Sequence, residues 1–73
     1  MKFTKHFSIY VKSKTVNDLV LVDADVTIED EKESNLLRIT QIDNLKVEDS
    51  IALSEPELEL FKKSVLDDYV SSN

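Results

Sequence analysis

Residues 19–29 alternate without a break. Val20, Val22, Ala24, Val26 and Ile28 fall on one side, and Leu19, Leu21, Asp23, Asp25, Thr27 and Glu29 on the other. A side-chain period of two belongs to a β-strand, whose successive residues point to opposite faces. Five small or β-branched positions on one side and acids on the other specify a sheet buried on one face only. Such a strand cannot stand alone. Its backbone needs neighbours, and its apolar row needs a covering layer.

Both requirements can be met from the rest of the chain. Phe7, Ile9 and Val11 alternate with Ser8, Tyr10 and Lys12, which predicts a strand over about 6–12. A third strand is predicted over about 36–42, with Leu37 and Ile39 on one face and Leu36, Arg38, Thr40 and Ile42 on the other. The connections, Ser13 to Asp18 and Asp30 to Asn35, are polar. The chain contains no Gly, so left-handed backbone positions must fall to Asn or Asp. Asn17, Asp18, Asn35, Asp43 and Asn44 stand where such residues are wanted. This pattern reads as an antiparallel meander with 19–29 in the middle. Leu45-Lys46-Val47 reads either as a short fourth strand or as loop.

The period changes once, near residue 54. Ser54 is an N-cap with Glu57 three residues on, and Pro56 falls in the first turn. Glu55, Glu57 and Glu59 suit the positive end of a helix dipole. Leu58, Phe61, Val65, Leu66 and Tyr69 then recur at spacings of three and four. Glu59 and Lys63 form an i, i+4 pair on the outer side. The helix is predicted over about 55–70, ahead of a frayed Ser-Ser-Asn tail.

The expectation is one small α+β domain over 1–73: a three- or four-stranded antiparallel meander with a C-terminal helix on one face. The helix stripe would cover Ile9, Val11, Val20, Val22, Val26, Ile28, Leu37 and Ile39. The opposite face would stay open, with an apolar end (Tyr10, Leu19, Leu21, Leu36, Ile42) and an acidic end (Asp25, Thr27 and Glu29 near Arg38). Residues 43–53, carrying Leu45, Val47, Ile51 and Leu53, offer a competing use of the apolar end by folding back over it.

Composition narrows the chemistry. The chain has 73 residues, no Cys, one His, and 9 basic against 15 acidic residues, a net charge of -6. Without Cys there are no disulfides, zinc ribbons or thiol nucleophiles. Without Gly there is no phosphate-cradling loop and no EF-hand turn. Asp23 and Asp25 lie about 6.7 Å apart on a straight strand rather than wrapped around an ion, so no metal or cofactor is expected. His6 can approach Asp23 or Asp25 in some registers. Ser50, Ser54 and Ser64 have no evident base, and no enzyme is expected. The longest apolar run, Leu19 to Val22, is too short to span a bilayer, and no signal-like segment follows the first lysines. A cytoplasmic location is expected, with no membrane contact.

The charge is unevenly placed. Residues 1–14 hold Lys2, Lys5, Lys12 and Lys14 and no acid, while every acid lies beyond them. The acidic remainder repels phosphate, so direct nucleic-acid binding is not expected. Asp23, Asp25 and Glu29 could instead imitate a row of phosphates, although duplex DNA carries one charge per about 1.7 Å of axis.

At Ile51, Ala52, Leu53, Ser54, Glu55, Pro56, Glu57 and Leu58 the chain resembles small acidic phage-encoded accessory proteins. These combine a few alternating strands with a Leu-Ser-acidic-x-acidic-Leu entry into a C-terminal helix. The resemblance spans residues 19–70 in outline. It implies a non-enzymatic protein that binds and modulates a host protein, in the host cytoplasm.

The functional expectation is therefore a protein-interaction module of inhibitor or modulator type. Tyr10, Leu19 and Leu21 would anchor a partner, and Asp23, Asp25 and Glu29 would steer its basic patch. Alternatives are an acidic nucleic-acid mimic of the anti-restriction or anti-CRISPR kind, or a small structural subunit. A chain this short also makes a homodimer a natural way to bury more surface.

Overall fold

The computed structural model describes residues 1–72. Strands β1 (Lys2–Ser13), β2 (Asp18–Glu31) and β3 (Leu36–Val47) form one antiparallel sheet in the order β1-β2-β3, followed by helix α1 (Glu55–Ser72). This is the α+β meander-plus-helix that the periodicity specified. Each element runs a little further than its alternation alone indicated. The expected Ser-Ser-Asn tail is helical to Ser72, and Asn73 lies outside the described residues.

β1 and β2 pair in an unbroken register from Lys2 opposite Glu29 to Ser13 opposite Asp18. Phe7, Val11, Val20, Val22, Ala24, Val26 and Ile28 thus share one face, where Phe61 and Val65 of α1 complete the buried core. Leu58 and Tyr69 pack around it, partly buried, and Leu66 is half-buried beside Leu37 and Ile39. The stripe read from helical spacing is the stripe that packs.

β3 departs from simple alternation. Its partners shift by one residue between Asp23 and Asp25, and again between Thr27 and Ile28. Each shift inserts one extra β3 residue, a bulge that turns the following side chains to the other face. Leu37 and Ile39 face the core before the Thr40 bulge, Ile42 after it, and Val47 after the second bulge, where Asn44 has φ 54°. Two expectations are corrected here. Ile42 lies on the core side, because the Thr40 bulge reverses its parity. Leu45-Lys46-Val47 is neither a fourth strand nor loop but the end of β3, carried past Asn44 by the left-handed bulge.

Asn17, Asn35 and Asn44 take positive φ, as do Asp49 and Ser50 in the turn before the helix; Asp18 and Asp43 do not. Asp18 and Asp43 sit inside paired strands, where extended backbone serves them better. Residues 43–53 do not cover the open face. Val47, Ile51 and Leu53 pack against the core on the helix side, where the larger apolar surface is, and Leu45 stays exposed.

The helix start is also a tertiary joint. Ser54 N donates to Glu57 Oε1 (2.8 Å), and Glu57 N donates to Ser54 Oγ (3.4 Å), closing the reciprocal capping box. Glu57 Oε2 accepts from Lys14 N at 2.7 Å, so this buried carboxylate also ties α1 to the end of β1. At the other end of the helix, Tyr69 donates to Asp30 Oδ2 (2.7 Å), and its ring lies 5.3 Å from that of Phe3. Glu59 pairs with Lys62 at 3.4 Å rather than with Lys63. The i+3 neighbour also lies on the same side of the helix.

Candidate functional site: the uncovered sheet face

The hydrogen-bond phase of the sheet follows from one pair. Met1 N donates to Asp30 O (2.8 Å), and Asp30 N donates to Met1 O (2.7 Å). Such doubly bonded pairs recur at every second residue of an antiparallel ladder. The odd-numbered residues of β2 therefore turn their backbone toward β3, and their side chains toward the face that α1 leaves open.

β3 reaches only as far as Val22, which pairs with Val47. Beyond it, β1 and β2 continue as a two-stranded ribbon, and the amides of Leu19 and Leu21 have no strand to bond. Carboxylates take them: Leu19 N donates to Asp18 Oδ1 (2.7 Å) and Leu21 N to Glu48 Oε1 (3.0 Å). The ribbon can thus project past β3 with these amides satisfied. Its open face carries Tyr10 directly opposite Leu21, with Leu19 opposite Lys12. Tyr10 is 62% exposed and Leu19 55%, while Leu21 is half-buried between them. Leu36 is also exposed, but it pairs with Glu31 at the far end of the sheet, so it does not join this patch.

The acidic row lies further along β2, and the structure places partners beside each member. Ser8 donates to Asp23, whose Oδ1 is also 3.6 Å from His6 Nε2. Asp25 Oδ1 is 3.0 Å from His6 Nδ1, and its Oδ2 accepts from Asn44 Nδ2 at 2.9 Å. The amide of Asn44 and the His6 ring hold the Asp25 carboxyl below the usual carboxylate range. Glu29 accepts from Arg38 Nε at 2.7 Å. The row is therefore a ladder of positioned carboxylates, with neutral donors on Asp23 and Asp25 and a cationic one on Glu29. Asp25 even sits opposite Asp43 in the register, and Gln41 donates to Asp43 at 2.6 Å while Asn44 bonds Asp25. Amide donors on both carboxylates ease a like-charge pair that is otherwise unfavourable.

His6, Asp23, Asp25, Asn44 and Lys46 line a shallow depression of about 430 Å³. Ser8 Oγ is 3.4 Å from His6 Nε2, so Ser8, His6 and Asp25 fall in the order of a nucleophile, base and orienting acid. The Ser8 hydroxyl donates to Asp23 rather than to the ring, and the His6 side chain is 59% exposed on an open sheet, without the enclosure that general-base catalysis uses. The sequence alone singles out His6 near Asp23 or Asp25 but not Ser8. His6 and Ser8 share a face by parity, and only the register brings Ser8 to Asp23.

Of the residues predicted for partner binding, Tyr10, Leu19 and Leu21 form one contiguous patch. Asp23, Asp25 and Glu29 continue the same column of β2 toward the other end of the face. Glu48 and Asp18, which complete the ribbon, carry no sequence signal beyond being acids near a turn. No helix among the described residues is long and apolar enough to cross a membrane. No family model matches the chain, and no curated protein or solved structure matches it significantly.

Proposed function

We propose that the chain is a non-enzymatic protein-binding module whose contact surface is the ribbon end of the uncovered sheet face. The observation that carries this reading is the contiguous apolar patch of Tyr10, Leu19 and Leu21 on a projecting ribbon, left uncovered while Val47, Ile51 and Leu53 of the 43–53 segment pack on the core instead. Exposed apolar patches on small domains commonly mark contact surfaces. An aromatic beside aliphatic neighbours is a common energetic centre of such contacts.

The partner is a protein presenting an apolar recess with a basic surround. Its long-range attraction comes from the net charge of -6, to which Asp23 and Asp25 contribute: their hydrogen bonds to Ser8 and Asn44 hold them in place without neutralising them, while Glu29 is paired with Arg38. Binding of this kind modulates a target by occupying its surface, the mode that the phage-type resemblance implies.

The test compares the parent, Leu21→Asp, and a triple Asp23→Asn, Asp25→Asn, Glu29→Gln variant in affinity capture from the native host. Circular dichroism verifies each fold, and mass spectrometry identifies what is retained. Loss of a specific protein with Leu21→Asp, and its retention by the triple variant, supports the reading. The reverse pattern, with binding that falls steeply as salt rises, identifies a nucleic-acid mimic instead.

A further inference from the structure

We propose that the free edge of β1 is a strand-addition site for an extended acidic segment of a partner protein. This edge shares Tyr10 with the Tyr10–Leu19–Leu21 patch but uses its backbone rather than its ring, and the N-methylated peptides below test the edge independently of that patch.

β1 and β3 are the two outer strands of the sheet, and they differ. β3 is interrupted by two bulges, one at a left-handed Asn44, which bend and twist an edge away from regular pairing. β1 is regular over its whole length, Lys2–Ser13, with no register shift against β2. The doubly bonded Met1–Asp30 pair sets its phase: odd residues bond β2, while Lys2, Thr4, His6, Ser8, Tyr10 and Lys12 aim their N–H and C=O groups outward. All six of those residues are exposed. The edge is thus a straight template for a further strand, the backbone arrangement used in β-augmentation.

Charge decides the occupant. Residues 1–14 hold four lysines and no acid. Lys2 and Lys12 stand at the two ends of the open face, with the bonded Asp23 and Asp25 one strand behind its middle. Lys5 stands on the helix side, so an added strand meets lysines at both ends of one face and at Lys5 on the other. A second copy of this chain, pairing β1 against β1, would set lysines against lysines, and such cross-strand repulsion selects against it. An acidic segment gains at the same positions. Beside the strand, Met1, Phe3, Lys5, Tyr69 and Ser72 line a shallow depression of about 310 Å³, suited to one apolar side chain on the helix-facing side of the segment.

The probe is a fluorescent peptide of roughly ten residues, the length of a full edge strand, alternating Val with Glu. A second peptide carries Lys in place of Glu. A third and a fourth are N-methylated at alternate amides, one in each phase. Anisotropy measures binding to the full chain, and hydrogen exchange followed by NMR locates it. The expected result is saturable binding of the acidic peptide, with new protection at the amides of Thr4, His6, Ser8 and Tyr10. One N-methylated phase should abolish binding and the other retain it. The Lys peptide, and the acidic peptide with Lys2→Glu/Lys12→Glu protein, should each bind about tenfold or more weakly. No binding of the acidic peptide overturns the proposal and leaves the lysines as protection against edge pairing. Equal affinity for both peptides, protection on β3, or concentration-dependent protection of β1 without peptide each overturn it as well.

Discussion

Glu57 shows how much one side chain can coordinate. Its carboxylate accepts from the Ser54 amide and hydroxyl and from the Lys14 amide, joining a helix start to a strand end 43 residues earlier in the chain. Ser54 N–H and then Lys14 N–H hold its carboxyl below the ordinary value of 4.5. A carboxylate depressed in the folded state contributes stability that is present above the unfolded pKa and is lost as pH falls through the folded one. The urea midpoint should therefore be level near neutrality and drop as pH passes below 4.5. Glu57→Gln should be less stable at neutral pH and should lose less on acidification, with Asp25, also depressed, supplying a residual slope. Identical acid slopes for parent and variant would show that the clasp contributes nothing. The capping box was legible in Ser54 and Glu57 alone. The bond to Lys14 was not, because no local rule relates residues so far apart.

At the scale of elements, β2 and α1 were readable almost completely, since each has one period and one buried face. β3 was readable only to Thr40. Its core-facing residues are Leu37, Ile39, Ile42 and Val47, a spacing that neither period explains until two bulges are inserted. A bulge depends on what the neighbouring strand presents: Ile39 pairs with Ile28 and Ile42 with Val26, and the extra residue is extruded between them. Asn44 makes the second bulge affordable, because its short polar side chain tolerates φ 54° and bonds Asp25. Asn44→Val puts a β-branched residue in that conformation and should cost about 1–2 kcal/mol. Asn44→Gly should cost clearly less, losing only the side-chain bond. Urea denaturation of the two variants checks the order, and equal losses would mean that the conformation is not the constraint.

The whole molecule is elongated, 42 Å in its longest dimension and 21 and 19 Å in the others, with nine buried apolar residues as its core. A domain this small has little stability in reserve. Phe61 is fully buried at the centre of the helix stripe. Phe61→Ala should cost about 3–5 kcal/mol, most of what such a domain holds. Its circular dichroism at 25 °C should show a largely unfolded chain, and a cooperative native-like transition would locate the core elsewhere. One face of the sheet takes this burial and the other does without it. Leucine and tyrosine therefore remain on the open side, and the proposed partner surface is a consequence of having one helix for a two-faced sheet.

The sequence by itself determined the strand and helix periods, the asparagines that replace glycine at left-handed positions, the helix cap, and the apolar character of Tyr10, Leu19 and Leu21. These are local properties, set by side-chain alternation and backbone sterics within a few residues. Only the tertiary structure decided where β3 ends, which acids are bonded and which strand edge stays regular. Each of those depends on register, and register is settled by the core packing of all three strands and the helix at once.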